Sequence, residues 1–237
     1  YSDGTKISDV NSDELRIVKP LSEISQYVID GIISTEDSSF YEHNGIVPKA
    51  LLRAILQEAV SSGSGATGGS TLTQQLIKQQ ILTSEVTFKR KANEILYALR
   101  LEKHFTKDQI LEAYLNVSSF GRNHNGLNIA GIEEAAQGVF GVAAKDLTLP
   151  QAAYLVGMPQ NPIVYTPYTN QATLKEDTSA GIERMKFVLF SMYRENKITK
   201  EQYEEALAYD ITKDFLPPKE ISSDRQSYLY QACLLYT

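Results

Sequence analysis

The sequence predicts a mainly α-helical fold for this chain of 237 residues. Apolar residues recur at three- and four-residue spacing through most of the chain, which is the period of an amphipathic helix. Capping signals and breakers, such as Thr106 with Gln109 and Gly141, stand where these stretches begin and end. Runs of strict apolar and polar alternation, which are typical of half-buried strands, are scarce, and no internal repeat is found.

The composition is that of a globular protein with an acidic surface. Hydrophobic residues make up 42% and charged residues 22% of the chain, and 23 Lys+Arg against 29 Asp+Glu give a net charge of −6. These values exclude disordered, collagen-like and low-complexity classes, and they disfavour nucleic acid as a partner. The single cysteine, Cys233, has no partner for an internal disulfide. At roughly 150 residues per domain, the length predicts one large domain or a domain with a smaller lobe.

The first helical stretch begins near Ser22, and its apolar stripe carries one acidic residue, Glu36. The stripe is formed by Val28, Ile29, Ile32, Ile33 and Phe40. A carboxylate among apolar groups must be paired, neutral or placed in a cleft. A buried structural glutamate and a catalytic base therefore both remain open at this point.

A second helix is predicted to begin at Pro48 and to end before Ser61–Gly69, which contains only Ser, Gly, Ala and Thr. That composition predicts a mobile linker. Within it, the spacing of Gly63, Gly65 and Gly68 matches a dinucleotide-binding fingerprint, but a helix precedes it where a strand is required, so this interpretation is rejected. Ser70 is predicted to cap a helix that runs to about Leu82.

The remainder of the chain predicts further helices before Pro217 and Pro218 end the regular structure. Two of them cover about residues 87–103 and 178–193, and one lies beyond Asn128 and ends at Gly141. Three more each follow a capping box, formed by Thr106 with Gln109, Thr148 with Gln151, and Thr199 with Gln202.

Single charged residues in these helices have plain structural interpretations. Arg90, Lys91 and Glu94 could form an exposed salt-bridged helix face, and Lys78 could be a surface lysine. The three histidines, at 43, 104 and 124, show no paired metal-ligand spacing. The combination of these charges with a Gln-Gln pair and a flexible loop is what favours a functional site.

Five stretches in fixed order carry a family resemblance. They are Glu36–Gly45 (EDSSFYEHNG), Gly69–Lys78 (GSTLTQQLIK), Arg90–Glu94 (RKANE), Lys107–Asn116 (KDQILEAYLN) and Arg184–Leu189 (RMKFVL). Together they resemble the peptidoglycan glycosyltransferase domain of class A bifunctional penicillin-binding proteins.

This resemblance implies a lysozyme-like, mainly helical fold with a large lobe and a smaller membrane-associating jaw. The expected organisation is an extended N-terminal segment (1–20) after an absent membrane anchor, the glycosyltransferase domain (21–215, jaw at about 46–90) and a connection (216–237) toward an absent transpeptidase domain. No serine is followed three residues later by lysine, so the transpeptidase nucleophile motif is missing and the chain should form glycan without cross-linking it.

The implied reaction polymerises lipid II at the outer face of the bacterial cytoplasmic membrane, with inversion and release of undecaprenyl pyrophosphate. By resemblance, Glu36 is the general base for the acceptor 4-hydroxyl. Glu94 is the second essential carboxylate, near the pyrophosphate or a divalent cation, Mg or Mn, although no cofactor is obligatory. The implied substrate-binding residues are Asp37, Ser70, Thr71, Gln74, Gln75, Lys78, Arg90, Lys91 and Asn116, with Asp37 supporting Glu36 by its charge.

The sequence departs from the family pattern at two places. Val86 stands where the jaw of such proteins often has an arginine before the third motif, and the stretch 120–129 replaces a shorter loop that contains Tyr-Gly. No function is assigned within that stretch.

Two other classes of function compete with polymerisation. A lytic transglycosylase or muramidase on the same fold would cut glycan with one acidic residue, but it has no need for the cations Lys78, Arg90 and Lys91. A catalytically silent module that binds lipid or partners is disfavoured by the presence of both Glu36 and Glu94.

Overall fold

The computed structural model describes residues 16–48, 70–81 and 88–218. Helices dominate these ranges, as the spacing of apolar residues predicts. The α-helices are α1 (Gln26–Glu36), α2 (Leu72–Gln80), α3 (Phe88–His104), α4 (Lys107–Val117), α5 (Ile132–Phe140), α6 (Leu149–Gly157), α7 (Pro162–Tyr165), α8 (Ser179–Arg194) and α9 (Lys200–Ala208). Short 3-10 helices cover Leu21–Glu23, Ala144–Asp146, Met158–Gln160 and Ile211–Asp214.

The core lies where α1, α6 and α8 pack against one another. Val28 and Ile32 of α1, Val156 of α6 and Leu189 of α8 are all buried. Helix α1 approaches α6 closely at Gly31, where an added Cβ would lie 3.2 Å from Val156 Cγ2. Because Glu36 is the last residue of α1 and Arg184 lies on α8, this packing brings two distant parts of the sequence to one edge of the core.

Most predicted helix boundaries are confirmed. Thr106, Thr148 and Thr199 each cap a helix with the glutamine three residues later, which satisfies backbone N–H groups that have no partner within the helix. Helix α5 ends at Gly141, whose φ of 72° lies in the left-handed region that glycine adopts without steric cost.

The predicted capping residue of α2 is wrong by one position. Thr71, not Ser70, is the N-cap: its Oγ1 accepts a hydrogen bond from Gln74 N at 3.2 Å, and Gln74 Oε1 accepts one from Thr71 N at 3.0 Å. The Thr-x-x-Gln spacing permits this reciprocal pair, whereas the residue three positions after Ser70 is Thr73.

Helix α1 also ends earlier than the apolar stripe predicted. The helix stops at Glu36, and Asp37 has an extended φ of −160°. Phe40 then lies in a turn, yet its side chain is fully buried, so the stripe identified a core position correctly although the helix did not reach it.

A short antiparallel hairpin, β1 (Ser119–Arg122) and β2 (Asn128–Ala130), was not predicted. Its strands are too short to produce a period-two pattern. The turn is held by Asn123, whose Oδ1 accepts hydrogen bonds from Asn125 N at 3.0 Å and Leu127 N at 3.1 Å. Thus the stretch 120–129 that departs from the family pattern forms this hairpin.

Several predictions lie outside the described residues. They concern the linker Ser61–Gly69, Val86, most of the helix after Pro48 and of the jaw at about 46–90, the segment 1–15 and the segment 219–237. Among the helices that the structure describes, none has both the length and the apolar character needed to cross a membrane.

Candidate active site

A cleft of about 920 Å³ opens beside the end of α1. Its described walls come from the segment before α1, the helices α1, α2, α3, α4 and α8, the strand β1 and the 3-10 helix Met158–Gln160. The lining residues are Arg16, Thr35, Glu36, Ser70, Gln74, Gln75, Lys78, Gln79, Gln80, Glu94, Val117, Ser119, Pro159, Gln160, Arg184 and Phe187. The cleft therefore brings together six of the residues predicted for the site, from three separate helical stretches of the sequence.

Glu36 occupies the wall of this cleft with its side chain 17% exposed. Arg184 Nη2 donates to Glu36 Oε1 at 2.8 Å, and Gln75 Nε2 donates to Glu36 Oε2 at 3.1 Å. One donor on each oxygen fixes the direction of the carboxylate, and the remaining lone pairs can accept from a bound hydroxyl. Of the alternatives for a carboxylate on the apolar stripe of α1, Glu36 therefore meets two: it is paired, and it lies in a cleft.

A buried tyrosine orients Gln75. Tyr114 Oη donates to Gln75 Oε1 at 3.1 Å, which leaves the Gln75 amino group facing Glu36. Burial raises the pKa of the Tyr114 hydroxyl, and the nearby Glu36 carboxylate raises it further, so the group remains a neutral donor at physiological pH. The chain of contacts from Tyr114 through Gln75 to Glu36 is complete within the structure.

Arg184 lines the cleft but was not included in the predicted site, although it opens the fifth stretch of the family resemblance. Its guanidinium carbon lies 4.9 Å from the centre of the Phe187 ring, and its stem passes Gly157, where an added Cβ would lie 2.7 Å from Arg184 Cγ. The fifth stretch of the family resemblance could have pointed to Arg184 as a site residue. No local sequence pattern, however, predicts that Arg184 contacts Glu36.

Glu94 lies on α3 and is almost fully buried, with 2% exposure. It forms a salt bridge with Lys91, and Gln74 Nε2 donates to its Oε1 at 3.2 Å. Lys91 Nζ also donates to Ser70 Oγ at 3.1 Å. The plain structural interpretation of this stretch as an exposed salt-bridged face is right about the salt bridge of Glu94 with Lys91 and wrong about its exposure, because Glu94 is buried.

Other predicted cations lie nearby. Lys78 is exposed in the last turn of α2 and lines the cleft. Arg90 precedes Lys91 on α3 and is half-buried, but it is not one of the described residues that line the cleft.

Besides Arg90 and Lys91, three further predicted site residues are not among the described residues that line the cleft: Asp37, Thr71 and Asn116. Asp37 and Thr71 hold the start of α2: Asp37 Oδ2 accepts from Leu72 N at 3.0 Å and contacts His43 Nε2 at 2.8 Å, and Thr71 Oγ1 donates to Gly45 O at 2.7 Å. Both residues are buried. In this structure they fix the helix that carries Gln74, Gln75 and Lys78, and they do not line the cleft themselves.

Asn116 is the third of these residues. Its Oδ1 accepts from Lys19 N at 2.8 Å, and its Nδ2 donates to Lys19 O and Glu112 O, each at 2.8 Å. Because the amide is buried and each of its polar atoms has a protein partner, Asn116 holds the segment before α1 and is not placed to bind substrate.

Comparison with known proteins identifies the family. The family model described as Transglycosylase matches residues 3–193. The chain belongs to the transglycosylase family. Its resemblance to class A penicillin-binding proteins is thereby confirmed, and the domain is an enzyme of the peptidoglycan glycosyltransferase class.

Relatives of this transglycosylase domain are longer proteins. It is 37% identical over 211 residues to penicillin-binding protein 1A of Clostridium botulinum and 40% identical over 194 residues to penicillin-binding protein 1B of Haemophilus influenzae. These alignments cover 87% and 82% of this chain but only 25% and 24% of the relatives. The chain therefore spans about a quarter of their length.

A solved structure supports the fold. The crystal structure of penicillin-binding protein 1A from Haemophilus influenzae matches with a TM-score of 0.53 at 21% identity, over 94% of this chain and 21% of that one. The predicted mainly α, lysozyme-like transglycosylase fold is confirmed.

The two carboxylates in the described part of the transglycosylase site are each paired with a cation. No group of three or more His, Cys, Asp or Glu side chains able to hold a metal ion occurs within residues 16–48, 70–81 and 88–218. Glu94 faces an ammonium and an amide donor, and Glu36 faces a guanidinium. Because Mg²⁺ usually binds through one or two carboxylates together with the phosphates of its ligand, a divalent cation beside Glu94 stays a prediction.

Proposed function

We propose that this domain polymerises lipid II into glycan strands, with Glu36 as the general base and undecaprenyl pyrophosphate as the leaving group. The observation that carries the proposal is the position of Glu36 in the cleft, where Arg184 and Gln75 each donate to one of its oxygens. A general base must be held within hydrogen-bond reach of the proton that it accepts. A fixed carboxylate with free lone pairs meets that requirement.

The reaction joins an acceptor hydroxyl to a donor sugar. The Glu36 carboxylate accepts the proton of the acceptor 4-hydroxyl while that oxygen forms a bond to the anomeric carbon of the donor. The bond between this carbon and the pyrophosphate oxygen breaks, and its electron pair leaves with undecaprenyl pyrophosphate. Because attack and departure take place on opposite faces of the sugar, the configuration inverts.

The leaving group accumulates negative charge during the reaction. Cationic side chains near the start and end of α2 would stabilise that charge. Lys78 lines the cleft directly, and Lys91 contacts Ser70 at the start of α2. Fixed positive groups stabilise developing charge because they need no reorganisation during the reaction. We assign Lys78 and Lys91 to the pyrophosphate, with Ser70 as a neutral hydrogen-bonding group; Arg90, which is not among the described residues that line the cleft, stays a predicted contact. Glu94 holds Lys91 in place.

The location follows from the substrate. Lipid II carries a polyprenyl chain, so the domain would act at a membrane, and the family resemblance implies the outer face of the bacterial cytoplasmic membrane. The similarity to penicillin-binding proteins 1A and 1B supports a role in synthesis of the cell wall. A transpeptidase domain in the same full-length protein and the growing lipid-linked glycan are the partners that this function implies.

Incubation of the purified chain with lipid II tests the proposal. We expect polymeric glycan with one undecaprenyl pyrophosphate released for each linkage formed and with inverted configuration at the new linkage. A lytic transglycosylase or muramidase would instead shorten preformed glycan and leave lipid II unchanged. Binding of lipid II with neither polymer nor cleavage would indicate a silent binding module.

A further inference from the structure

One aromatic side chain lies open in the wall of the cleft. Phe187 on α8 is 47% exposed and lines the cleft, while the next two residues, Val188 and Leu189, are buried in the core. Phe190, about one turn further along α8, is exposed to the same extent, but it is not among the described residues that line the cleft. Phe187 thus offers the cleft an aromatic surface that packing in the core does not use.

Arg184 connects the Phe187 ring to the carboxylate of Glu36. Its guanidinium carbon lies 4.9 Å from the ring centre, and its Nη2 donates to Glu36 Oε1 at 2.8 Å. Since a C–N bond of this kind is about 1.3 Å long, the ring centre lies within about 9 Å of that carboxylate oxygen. One pyranose ring with its substituents can span this distance. A sugar whose hydroxyl meets Glu36 can therefore also reach Phe187.

An amide side chain lies in the same part of the cleft wall. Arg184 Nε donates to Gly157 O at 3.4 Å, so the 3-10 helix Met158–Gln160, which follows directly, begins beside α8. Gln160 is exposed and lines the cleft. Tyr165 Oη donates to Gln160 Oε1, which leaves Gln160 Nε2 to donate to a hydroxyl of a ligand. The wall therefore combines an aromatic ring with a neutral hydrogen-bond donor.

This combination suits a saccharide. In a β-linked N-acetylglucosamine ring the substituents are equatorial, so both faces of the ring carry only C–H groups. The face of an aromatic ring is its negative part, and it attracts the weakly positive C–H groups of such a sugar. The hydroxyl and amide groups at the edge of the sugar then need hydrogen-bonding partners, because burying them without partners is unfavourable.

The two oxygens of Glu36 distinguish two sides of the cleft. Gln75 of α2 donates to Oε2, and Arg184 of α8 donates to Oε1. Under the proposed function the pyrophosphate of the donor lies near the ends of α2, where Lys78 and Lys91 are placed. The acceptor sugar is then left with the side of α8, which is the side that carries Phe187.

We propose that Phe187 and Gln160 form a saccharide subsite, in which the acceptor sugar packs on the ring of Phe187 and Gln160 Nε2 donates to one of its oxygens. The proposal rests on the proposed function for the identity of the acceptor. The subsite holds the sugar so that its hydroxyl stays within reach of Glu36. Its contacts are the same in the ground state and in the transition state, so they determine the binding of the acceptor and not the proton transfer.

Steady-state kinetics of glycan formation test the role of Phe187. In Phe187→Ala we expect the KM for lipid II to rise about fivefold or more with kcat within about twofold. Phe187→Leu should lose nearly as much, because it keeps an apolar side chain without an aromatic face, and Phe187→Tyr should keep a KM close to that of the parent. The matched control is Phe190→Ala, which removes an equally exposed phenylalanine from the same helix.

Three results would overturn the proposal. The first is an unchanged KM in Phe187→Ala or in Phe187→Leu, and the second is an equal rise of KM in Phe190→Ala. The third is a lower kcat with a displaced pH profile at constant KM, because Phe187 would then act only on Arg184 and through it on Glu36.

The same kinetics test the role of Gln160. Gln160→Ala should also raise the KM for lipid II and leave kcat within about twofold, because a hydrogen bond to the bound sugar is lost. Gln171→Ala is the control, since Gln171 is also exposed but is not among the described residues that line the cleft. An unchanged KM in Gln160→Ala would remove Gln160 from the subsite.

Equilibrium binding detects the sugar without turnover. The chain contains no tryptophan, so Phe187→Trp adds a single indole at the subsite. Chitotetraose, a soluble β-1,4-linked tetramer of N-acetylglucosamine without lipid or phosphate, should change the fluorescence of Phe187→Trp in a saturable way and leave that of Phe190→Trp unchanged. No change in Phe187→Trp, or the same change in both variants, would overturn the proposal. Binding of chitotetraose by Phe187→Trp together with a parent chain that makes no polymer from lipid II would contradict the proposed function and leave the saccharide subsite standing.

Discussion

Arg184 Nη2 lies 2.8 Å from Glu36 Oε1, although 148 residues separate the two in sequence. The pair links the end of α1 to α8 in the wall of the cleft. Gln75 of α2 donates a second hydrogen bond to Glu36. Three helices therefore share the task of orienting one carboxylate. A group held in this way keeps its geometry when substrate binds, which is what proton transfer requires.

Glu36→Gln should abolish polymerisation while folding and lipid II binding remain close to those of the parent, because the amide keeps the shape but cannot accept the proton. A gel assay for glycan, circular dichroism and a binding titration measure the three properties. The control is Glu183→Gln, whose carboxylate is 69% exposed and pairs with Lys186. Near-normal turnover in Glu36→Gln would exclude Glu36 as the base.

Gly157→Ala should lower kcat roughly tenfold with little change in backbone structure. The φ of Gly157 is −69°, which alanine adopts freely, but the new Cβ would lie 2.7 Å from Arg184 Cγ and push the guanidinium away from Glu36. Gly138→Ala is the matched control, since its Cβ would lie 2.6 Å from Asn123 Cβ beside the hairpin. If both variants lost activity equally, the effect would be one of general packing.

Asp37→Ala should lower the free energy of unfolding by about 2 to 4 kcal/mol, because it leaves the Leu72 N–H and buried His43 without their partner. Asp37→Asn keeps an acceptor for Leu72 N and should lose less. Urea unfolding measures the free energy of unfolding of each variant. Steady-state kinetics should show a lower kcat, because the start of α2 is held less firmly. A large rise in KM without loss of stability would instead return Asp37 to the substrate-binding set.

Lys78→Ala should reduce kcat/KM roughly tenfold or more, since a charge-assisted contact is typically worth about 1.5 to 3 kcal/mol. Thermal stability should hardly change, because Lys78 is exposed. Lys103→Ala is the matched control: it also removes an exposed lysine from the last turn of a helix, α3, but away from the described cleft lining. Equal kinetic losses in both variants would argue against a specific pyrophosphate contact.

Stability should fall at alkaline pH because burial raises the pKa of Tyr114, Tyr154 and Tyr168. The neutral phenol is then favoured in the folded state, so the stabilisation is complete below the unfolded pKa of about 10 and is lost as pH rises above it. Above that pH, each buried tyrosine should lower the free energy of unfolding by about 1.4 kcal/mol per pH unit. Urea unfolding at about pH 8 and pH 11 measures the loss. A Tyr154→Phe variant should lose less, and an equal loss would contradict the assignment.

The sequence alone determined most of the described helices, most of their ends and the family; the one-turn helix α7 was not predicted. Caps such as Thr106 with Gln109 act over three residues, and apolar periodicity acts over one or two turns, so both are visible locally. The exceptions are also local in origin: Thr71 replaced Ser70 as the cap of α2, and the strands of the hairpin were too short to leave a pattern.

Only the tertiary structure decided what the site residues touch. Packing of α1 against α8 brought Arg184 to Glu36, and α4 turned Asn116 toward Lys19, 97 residues away, and not toward the cleft. Asp37 follows Glu36 directly in the sequence, yet it holds the start of α2 while Glu36 faces the cleft. The direction of a side chain at a helix end depends on which distant element packs there, and no local interaction along the chain specifies that choice.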